Sequence, residues 1–374
     1  MQRRPIAAQG ESAAARAARL TETVRASIPA LQRRAEALDI EGIFPEQDMA
    51  ALREAGLLAA PVPERLGGLG AGTEPSGAAL LAGLLRLLGQ GNLAVGRLFE
   101  AHVNAIRLVM RYGTAERAEQ AAAGALAGDL FGLWVTDPSG ERLRRADDRL
   151  AGRKGPCSGA GHCARALVTA QTPGGTQMIL ITLSGTEPVT GLPAALQGMR
   201  AASNGTLDLT GVAAPDDALI GVPGDYLREP DFSCGAWRTT AVTLGGLDAL
   251  VEATRAQLVQ RGYQDAPMQQ ARFGQILIAQ ETARLWTMRA ADMAEQDGPA
   301  ASSADRVAYV NLARLAVEAA CLDALHLMQR SLGLAAFVRP SLPERLSRDL
   351  GTYLRQPAPD AVLLEAGAHG LAKA

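Results

Sequence analysis

The sequence predicts a mainly helical α+β protein in which a block of short strands sits between two helical blocks. Three observations lead to this class. Leu130 to Gly140, Leu-Phe-Gly-Leu-Trp-Val-Thr-Asp-Pro-Ser-Gly, is apolar and β-prone as far as Thr136 and turn-forming from Asp137. A strand there ends in a tight turn that exposes Thr136 and Ser139. The residues before it are Ala- and Leu-rich with helical patterning, and those after it, to about Val222, are rich in Gly, Thr and Pro and read as short strands. From Ala236 onward apolar residues recur at steps of three and four, the mark of helices with one buried stripe. The expected units are an N-terminal helical domain at 1–128, a central β domain at 129–230 and a C-terminal helical bundle at 231–374.

Composition narrows the function classes. The chain has 374 residues, 48% hydrophobic and 20% charged, with a net charge of −2. Near-neutral charge gives no electrostatic case for nucleic acid or an anionic membrane surface. The longest apolar run, Gly77 to Leu88, contains Arg86 and is too short to span a bilayer. Met1 to Pro5 carries two arginines with no apolar signal core after them, so the expected location is cytoplasmic and residues 1–10 are expected to be loose. The four cysteines, at 157, 163, 234 and 321, read as buried thiols. Cys157, His162 and Cys163 lie close together, but no second Cys/His group is near in sequence, so no metal site is expected.

In chain order, residues 11–38 form a helix, and Pro45 starts a second whose face is Met49, Leu52 and Ala55, stopped by Gly56. Leu57 to Gly70 reads as an extended segment closed by a glycine-rich turn. Its Gly68-x-Gly70 spacing has Thr73 in place of a third glycine and no strand before it, so it is a loop rather than a dinucleotide fingerprint. Ala78–Leu88, Leu93–Tyr112 and Ala115–Gly128 read as helices. His102, inside the second, reads first as a packed core residue. In the β block, Glu141–Arg149 is a solvated loop, Ala166–Ala170 and Met178–Leu183 are strands, and Leu207–Val212 alternates as a half-buried one. Gly159-x-Gly161-x-x-Ala164 leads into a strand rather than a helix, so it too is rejected as a nucleotide motif. Two long stripes follow, Ile276 to Met293 and Val310 to Met328. Gly245-Gly246, in a helix over 241–258, costs helix stability and calls for the close approach of a neighbouring helix or a ligand. Pro357 and Pro359 end the last helix.

Several motifs, taken together, resemble the acyl-CoA dehydrogenases, which are flavin enzymes. They run from Phe44-Pro45 through Gly56-Leu57 to Val62-Pro63-Glu64-x-x-Gly67-Gly68-Leu69-Gly70, then Trp134-Val135-Thr136-Asp137-Pro138, where that family shows Thr-Glu-Pro. Leu150-x-Gly152-x-Lys154, Gly198-Met199-Arg200, Val212-x-x-Pro215 and Leu219-Ile220-Gly221 follow. Arg272-Phe273-Gly274, Gln329 to Gly333 and Glu344-Arg345-Leu346-x-Arg348-Asp349 complete the series. The resemblance implies a helical domain, a small β-barrel-like domain and a C-terminal four-helix bundle, with FAD between the β domain and the bundle. It implies flavin contacts at Trp134, Thr136 and Ser158. It also implies that Arg272, Phe273, Gln329 and Gly333 serve the FAD of a partner subunit, hence a homodimer or homotetramer.

The sequence departs from the family in four places. Pro156-Cys157-Ser158 replaces a Trp-Ile-Thr segment, so the hydroxyl survives and the aromatic wall is lost. Gln270 stands where the family has the Arg three residues before the Phe. Gly140-Glu141-Arg142 replaces serine-rich contacts to the acyl-CoA phosphates. The α-proton-abstracting Glu, nine residues after Arg348, is Pro357, and the alternative position offers Thr239 or Thr240. Three readings stay open. One is an FAD-dependent oxidoreductase acting on an acyl thioester such as acyl-CoA, or on a related CH–CH substrate, passing electrons to an electron-transfer flavoprotein. Another is a monooxygenase fed by a flavin reductase, in which His102 is the acid–base candidate. The last is a non-catalytic flavin- or acyl-binding descendant.

Overall fold

A computed structural model describes residues 11–138, 140–191, 196–295 and 302–372. The expected loose residues 1–10 and the turn residue Ser139 lie outside the described residues. Five helices come first: α1 (Ala13–Glu41), α2 (Glu46–Glu54), α3 (Ala78–Gly91), α4 (Leu93–Tyr112) and α5 (Ala115–Ala127). Their ends are set locally. Ser12, Asn92 and Thr114 accept hydrogen bonds from the first turns of α1, α4 and α5, while Gly42 and Gly128 close α1 and α5 at φ 68° and 93°. Leu57–Gly70 is not extended as expected. It winds through two short 3₁₀ turns, Leu57–Ala59 and Glu64–Leu66, which fold the segment back so that Ala71 N–H reaches Ala60 O.

Among the described residues nine strands follow: β1 (Phe131–Trp134), β2 (Arg144–Ala146), β3 (Arg149–Ala151), β4 (Arg153–Cys157), β5 (Arg165–Thr172), β6 (Gly175–Thr182), β7 (Val189–Thr190), β8 (Gly205–Asp208) and β9 (Leu219–Ile220). They form two sheets. The larger runs β3-β2-β5-β6-β9, with β1 also parallel to β5 in the register Phe131↔Arg165. The β5–β6 hairpin turns at Pro173-Gly174, and the smaller sheet is β4-β8-β7.

The chain then returns to helix with α6 (Asp231–Cys234), α7 (Ala236–Gln260), α8 (Pro267–Glu295), α9 (Ser303–Leu332), α10 (Leu342–Tyr353) and α11 (Pro359–Leu371). Pro359 does not end the last helix. It begins α11, where its fixed φ and missing N–H are tolerated. The central helix is α7, buried along 240–251 and packed against α3, α8, α9 and α10. Its crossing with α3 explains Gly245, while a Cβ on Gly246 would lie 2.8 Å from Leu93 Cδ2 of α4 and 3.0 Å from Leu350 Cδ2 of α10. A Cβ on Gly245 would lie 2.0 Å from Arg86 O, and one on Gly89 would lie 2.1 Å from Val242 O. The backbones touch there, and Arg86 spans the contact to Asp248 at 2.6 Å. The stripe residues Ile276, Ala279, Ala283 and Ala290 of α8 and Val310, Ala313, Val317, Cys321, Ala324 and Met328 of α9 are buried as expected, while Trp286 and Met293 of the α8 stripe are only half-buried. Among the described residues no helix is long and apolar enough to cross a membrane.

Candidate active site

Lys154 organises the strand end at Thr136. This lysine of β4 is wholly buried. Its ammonium donates to Val135 O (3.1 Å), Asp137 Oδ1 (2.6 Å) and Thr169 Oγ1 (3.1 Å). Burial pushes its pKa down and Asp137 opposes that. The ammonium thus ties β4, β5 and the turn after β1 to one point, and Gly155 N–H donates to Thr136 O at 3.0 Å. The Thr136 side chain is exposed and has no hydrogen-bond partner among the described residues.

Trp134 lies in the core, 2% exposed, and its indole N–H donates to Ser158 O at 3.0 Å. It therefore holds the 156–158 segment from behind rather than facing a cavity. Ser158 is also buried, and its hydroxyl donates to Asn204 Oδ1 at 2.8 Å. Pro156 is exposed on that segment. The thiols of Cys157 and Cys163 are buried free cysteines whose pKa values burial pushes up, and the His162 ring stacks on Phe44 at 3.9 Å.

His102 is fully buried in α4. Its Nδ1 accepts from Phe131 N–H at 3.1 Å, so Nε2 carries the proton and donates to Leu58 O at 2.8 Å. Burial lowers its pKa to about 4. It pins α4 to β1 and to the 57–59 turn, with both ring nitrogens engaged.

A cleft of about 370 Å³ opens between α4, the end of β1, the start of α7, α9 and the 356–358 segment. Pro357 and Thr239 line it, whereas Thr240, the other threonine at the alternative base position, is buried and donates to Trp237 O at 2.7 Å. Five arginines and two carboxylates, Glu100 and Asp231, also line it. Arg97 pairs with Glu100. Arg107 and Arg238 converge on Glu295 at the end of α8, where Trp237 Nε1 also donates, at 2.8 Å. Burial works to raise the Asp231 carboxyl, and the Tyr112 hydroxyl (2.7 Å) with Arg111 and Arg107 outweighs it and holds the group below its ordinary value. A carboxylate so held is a poor proton acceptor. Sequence reading missed Arg107, Arg238, Arg314 and Glu295. The available signal was the run Arg97, Arg107, Arg111 along one apolar helix.

Arg272, Phe273, Gln329 and Gly333 gather at the far end of the bundle. Gln269 of α8 donates to Ser331 O (3.4 Å) and Arg261, just past α7, donates to Leu332 O (3.1 Å), so the start of α8 meets the end of α9. Gly333 N–H closes α9 on Gln329 O at φ 61°. Thr239 is at the opposite end of α7, which at 25 residues is about 37 Å long. One protomer therefore does not bring these four residues to Thr136 and Ser158.

A helical domain, a small β region and a C-terminal helical bundle make up the acyl-CoA dehydrogenase fold. Residues 15–129 match the family described as acyl-CoA dehydrogenase, N-terminal domain. The short-chain specific acyl-CoA dehydrogenase, mitochondrial, of Bos taurus is 25% identical over 337 residues, covering 83% of this chain and 79% of that one. Butyryl-CoA dehydrogenase from Megasphaera elsdenii superposes with a TM-score of 0.81 at 15% identity, over 99% of this chain and 100% of that one. KijD3 in complex with FMN and dTDP-3-amino-2,3,6-trideoxy-4-keto-3-methyl-D-glucose superposes with a TM-score of 0.80 at 20% identity, over 98% and 95%. The N-terminal third of the chain is thus similar to the acyl-CoA dehydrogenases, and the chain as a whole shares their fold.

Proposed function

We propose that this chain is a flavin-dependent oxidoreductase, with FAD as its cofactor, that acts on a small polar substrate and does not rely on abstraction of a thioester α-proton. One observation carries this reading. Of the positions at which the resemblance expects the base, Pro357 and either Thr239 or Thr240, Pro357 and Thr239 border the cleft, and Pro357 O accepts a hydrogen bond from Arg314 Nη2 at 2.9 Å. A guanidinium thus stands where a carboxylate was expected. Proline has no proton-accepting side chain, and a threonine hydroxyl is a very poor base.

The exposed Thr136 hydroxyl, unpartnered among the described residues, suits hydrogen bonding to a flavin ring, and Lys154 holds its backbone rigid from below. A bound flavin would supply two-electron redox chemistry and, once reduced, reaction with oxygen. The chain's own residues would bind and orient the substrate through the cleft arginines, and Leu133 and Val135 would exclude water at its inner wall. We favour a reduced-flavin monooxygenase served by a reductase. Acyl-thioester oxidation with an electron-transfer flavoprotein stays as the second reading, because Glu100 and Asp231 do reach the cleft.

We infer a homo-oligomer as well. The four bundle residues lie about an α7 length from Thr136, so a second copy is needed to complete a dinucleotide site. The outer face of α8 also leaves Ile278 68% and Leu285 54% exposed.

One preparation tests both parts. Light scattering should give at least a dimer, and the absorption spectrum should be that of a flavin. The flavin should be bleached by a reductase system, with oxygen then consumed, and not by an acyl-CoA series under anaerobic conditions. Rapid bleaching by an acyl-CoA, with turnover on the order of 1 per second, would favour the dehydrogenase reading. A colourless protein that refuses FAD would remove both.

A further inference from the structure

We propose that the substrate carries an oxyanion, a carboxylate or a phosphate, and that Arg314 and Asn311 of α9 bind it beside Arg238. The inference rests on the reading of the arginine-lined cleft as the substrate site.

The ion pairs of the cleft account for four of its five arginines. Arg97 has Glu100, Arg111 has Asp231, and Arg107 and Arg238 have Glu295. Arg314 makes no ion pair among the described residues. Its Nη2 donates to the carbonyl of Pro357, and its Nε is buried without a partner. Glu318, one turn further along α9, acts on it only at longer range. A guanidinium stays charged, so a half-buried one without a counter-ion calls for an anion.

Two further groups face the same space. Asn311 precedes Arg314 by three residues, so both lie on one face of α9. Asn311 is 3% exposed, lines the cleft, and its amide has no hydrogen-bond partner among the described residues. Arg238 also lines the cleft and brings positive charge to it, with its Nη atoms donating to Glu295 and Asn104. Arg314, without a counter-ion among the described residues, and the Asn311 amide leave unmet hydrogen-bonding capacity at the α9 wall of the cleft. An oxyanion, with several lone pairs and a negative charge, fills it, and an uncharged hydrocarbon chain does not.

Direct binding of simple anions to the purified protein at low ionic strength is the test, with succinate as the carboxylate probe and inorganic phosphate as the phosphate probe. Calorimetry should give saturable, one-site binding of at least one of them, and the preferred probe distinguishes an acid substrate from a phosphate ester. Arg314→Gln should weaken that binding about tenfold or more, with partial recovery in Arg314→Lys. Asn311→Ala should weaken it several-fold, which serves as a second readout if the arginine variant fails to fold. Arg284→Gln, an exposed pair with Glu281 on α8, is the control for lost positive charge. No saturable binding of either anion, or the same affinity in Arg314→Gln as in the parent, overturns the inference. A flavin spectrum with no anion binding would sink this proposal alone. Arg314-dependent binding in a protein that cannot take flavin would sink the functional reading alone.

Discussion

Arg348 on α10 is buried and Arg314 on α9 is half-buried, and the surroundings treat them in opposite ways. Arg348 donates to Asp39 at 2.6 and 3.0 Å, to Glu344 at 2.6 and 2.8 Å and to Gln197 O at 2.9 Å. Burial acts to lower its pKa, and Glu344 and Asp39 more than reverse that. Next to it, Asp349 accepts from Met199 N–H at 2.6 Å, while burial pushes its carboxyl up to about 6. Gly198 runs so close that a Cβ would lie 2.1 Å from Arg348 O. This cluster is closed, with the guanidinium fork filled by protein acceptors and no room left. Around Arg314 burial lowers the pKa with only distant opposition, and donors are left over. The same side chain makes a structural staple where its acceptors come with the fold and a ligand contact where they do not.

Breaking the closed cluster should have the largest effect. Arg348→Met leaves Asp39 as a buried carboxylate without its counter-ion, while Glu344 keeps Arg339 at 3.0 Å, and a loss of about 3–5 kcal/mol in urea unfolding is expected. Arg348→Lys keeps the charge but cannot reach both carboxylates as a fork, so it should fall between. A loss under about 1 kcal/mol for Arg348→Met would mean that the cluster is not a staple.

The next effect is pH-dependent. His102 is neutral in the folded chain because its pKa is lowered to about 4 from 6.5. A depressed pKa means that the unfolded chain binds the extra proton first. Its contribution is complete above about pH 6.5 and is lost as the pH falls toward 4, a change on the order of 3 kcal/mol. Unfolding measured across that range should show His102→Gln with a flatter slope than the parent. Identical slopes would assign the acid sensitivity elsewhere.

Removing the open arginine should do least to stability. Arg314→Gln gives up one hydrogen bond to Pro357 O and a desolvated charge with no partner, so these losses and gains nearly cancel. Without ligand, its unfolding free energy should lie within about 0.5 kcal/mol of the parent. A loss of several kcal/mol would make Arg314 a staple like Arg348 and erase the contrast.

The sequence by itself determined the local features. Ser12, Asn92 and Thr114 cap helices, Gly42, Gly56 and Gly128 stop chain segments in left-handed geometry, and the stripes of α8 and α9 face the core. Caps, turns and periodicity act within a few residues, so they are legible without neighbours. The glycine pair of α7 was legible for a related reason, since only a close contact rewards glycine inside a helix. Where it erred, a local rule had two outcomes. Pro359 stops a helix or starts one, and the docking of α11 against α9 chose the start. Tertiary structure alone decided the rest. Asp39 and Arg348 are 309 residues apart, and Pro357 and Arg314 are 43 apart, so no spacing along the chain announces either contact. The motif that holds Arg348 and the position that holds Pro357 were both visible as residues. That the first is a filled fork and the second borders an arginine with unused donors follows only from which acceptors the folded chain brings within reach, because hydrogen bonds and charges act over a few ångströms of space whatever the distance along the sequence.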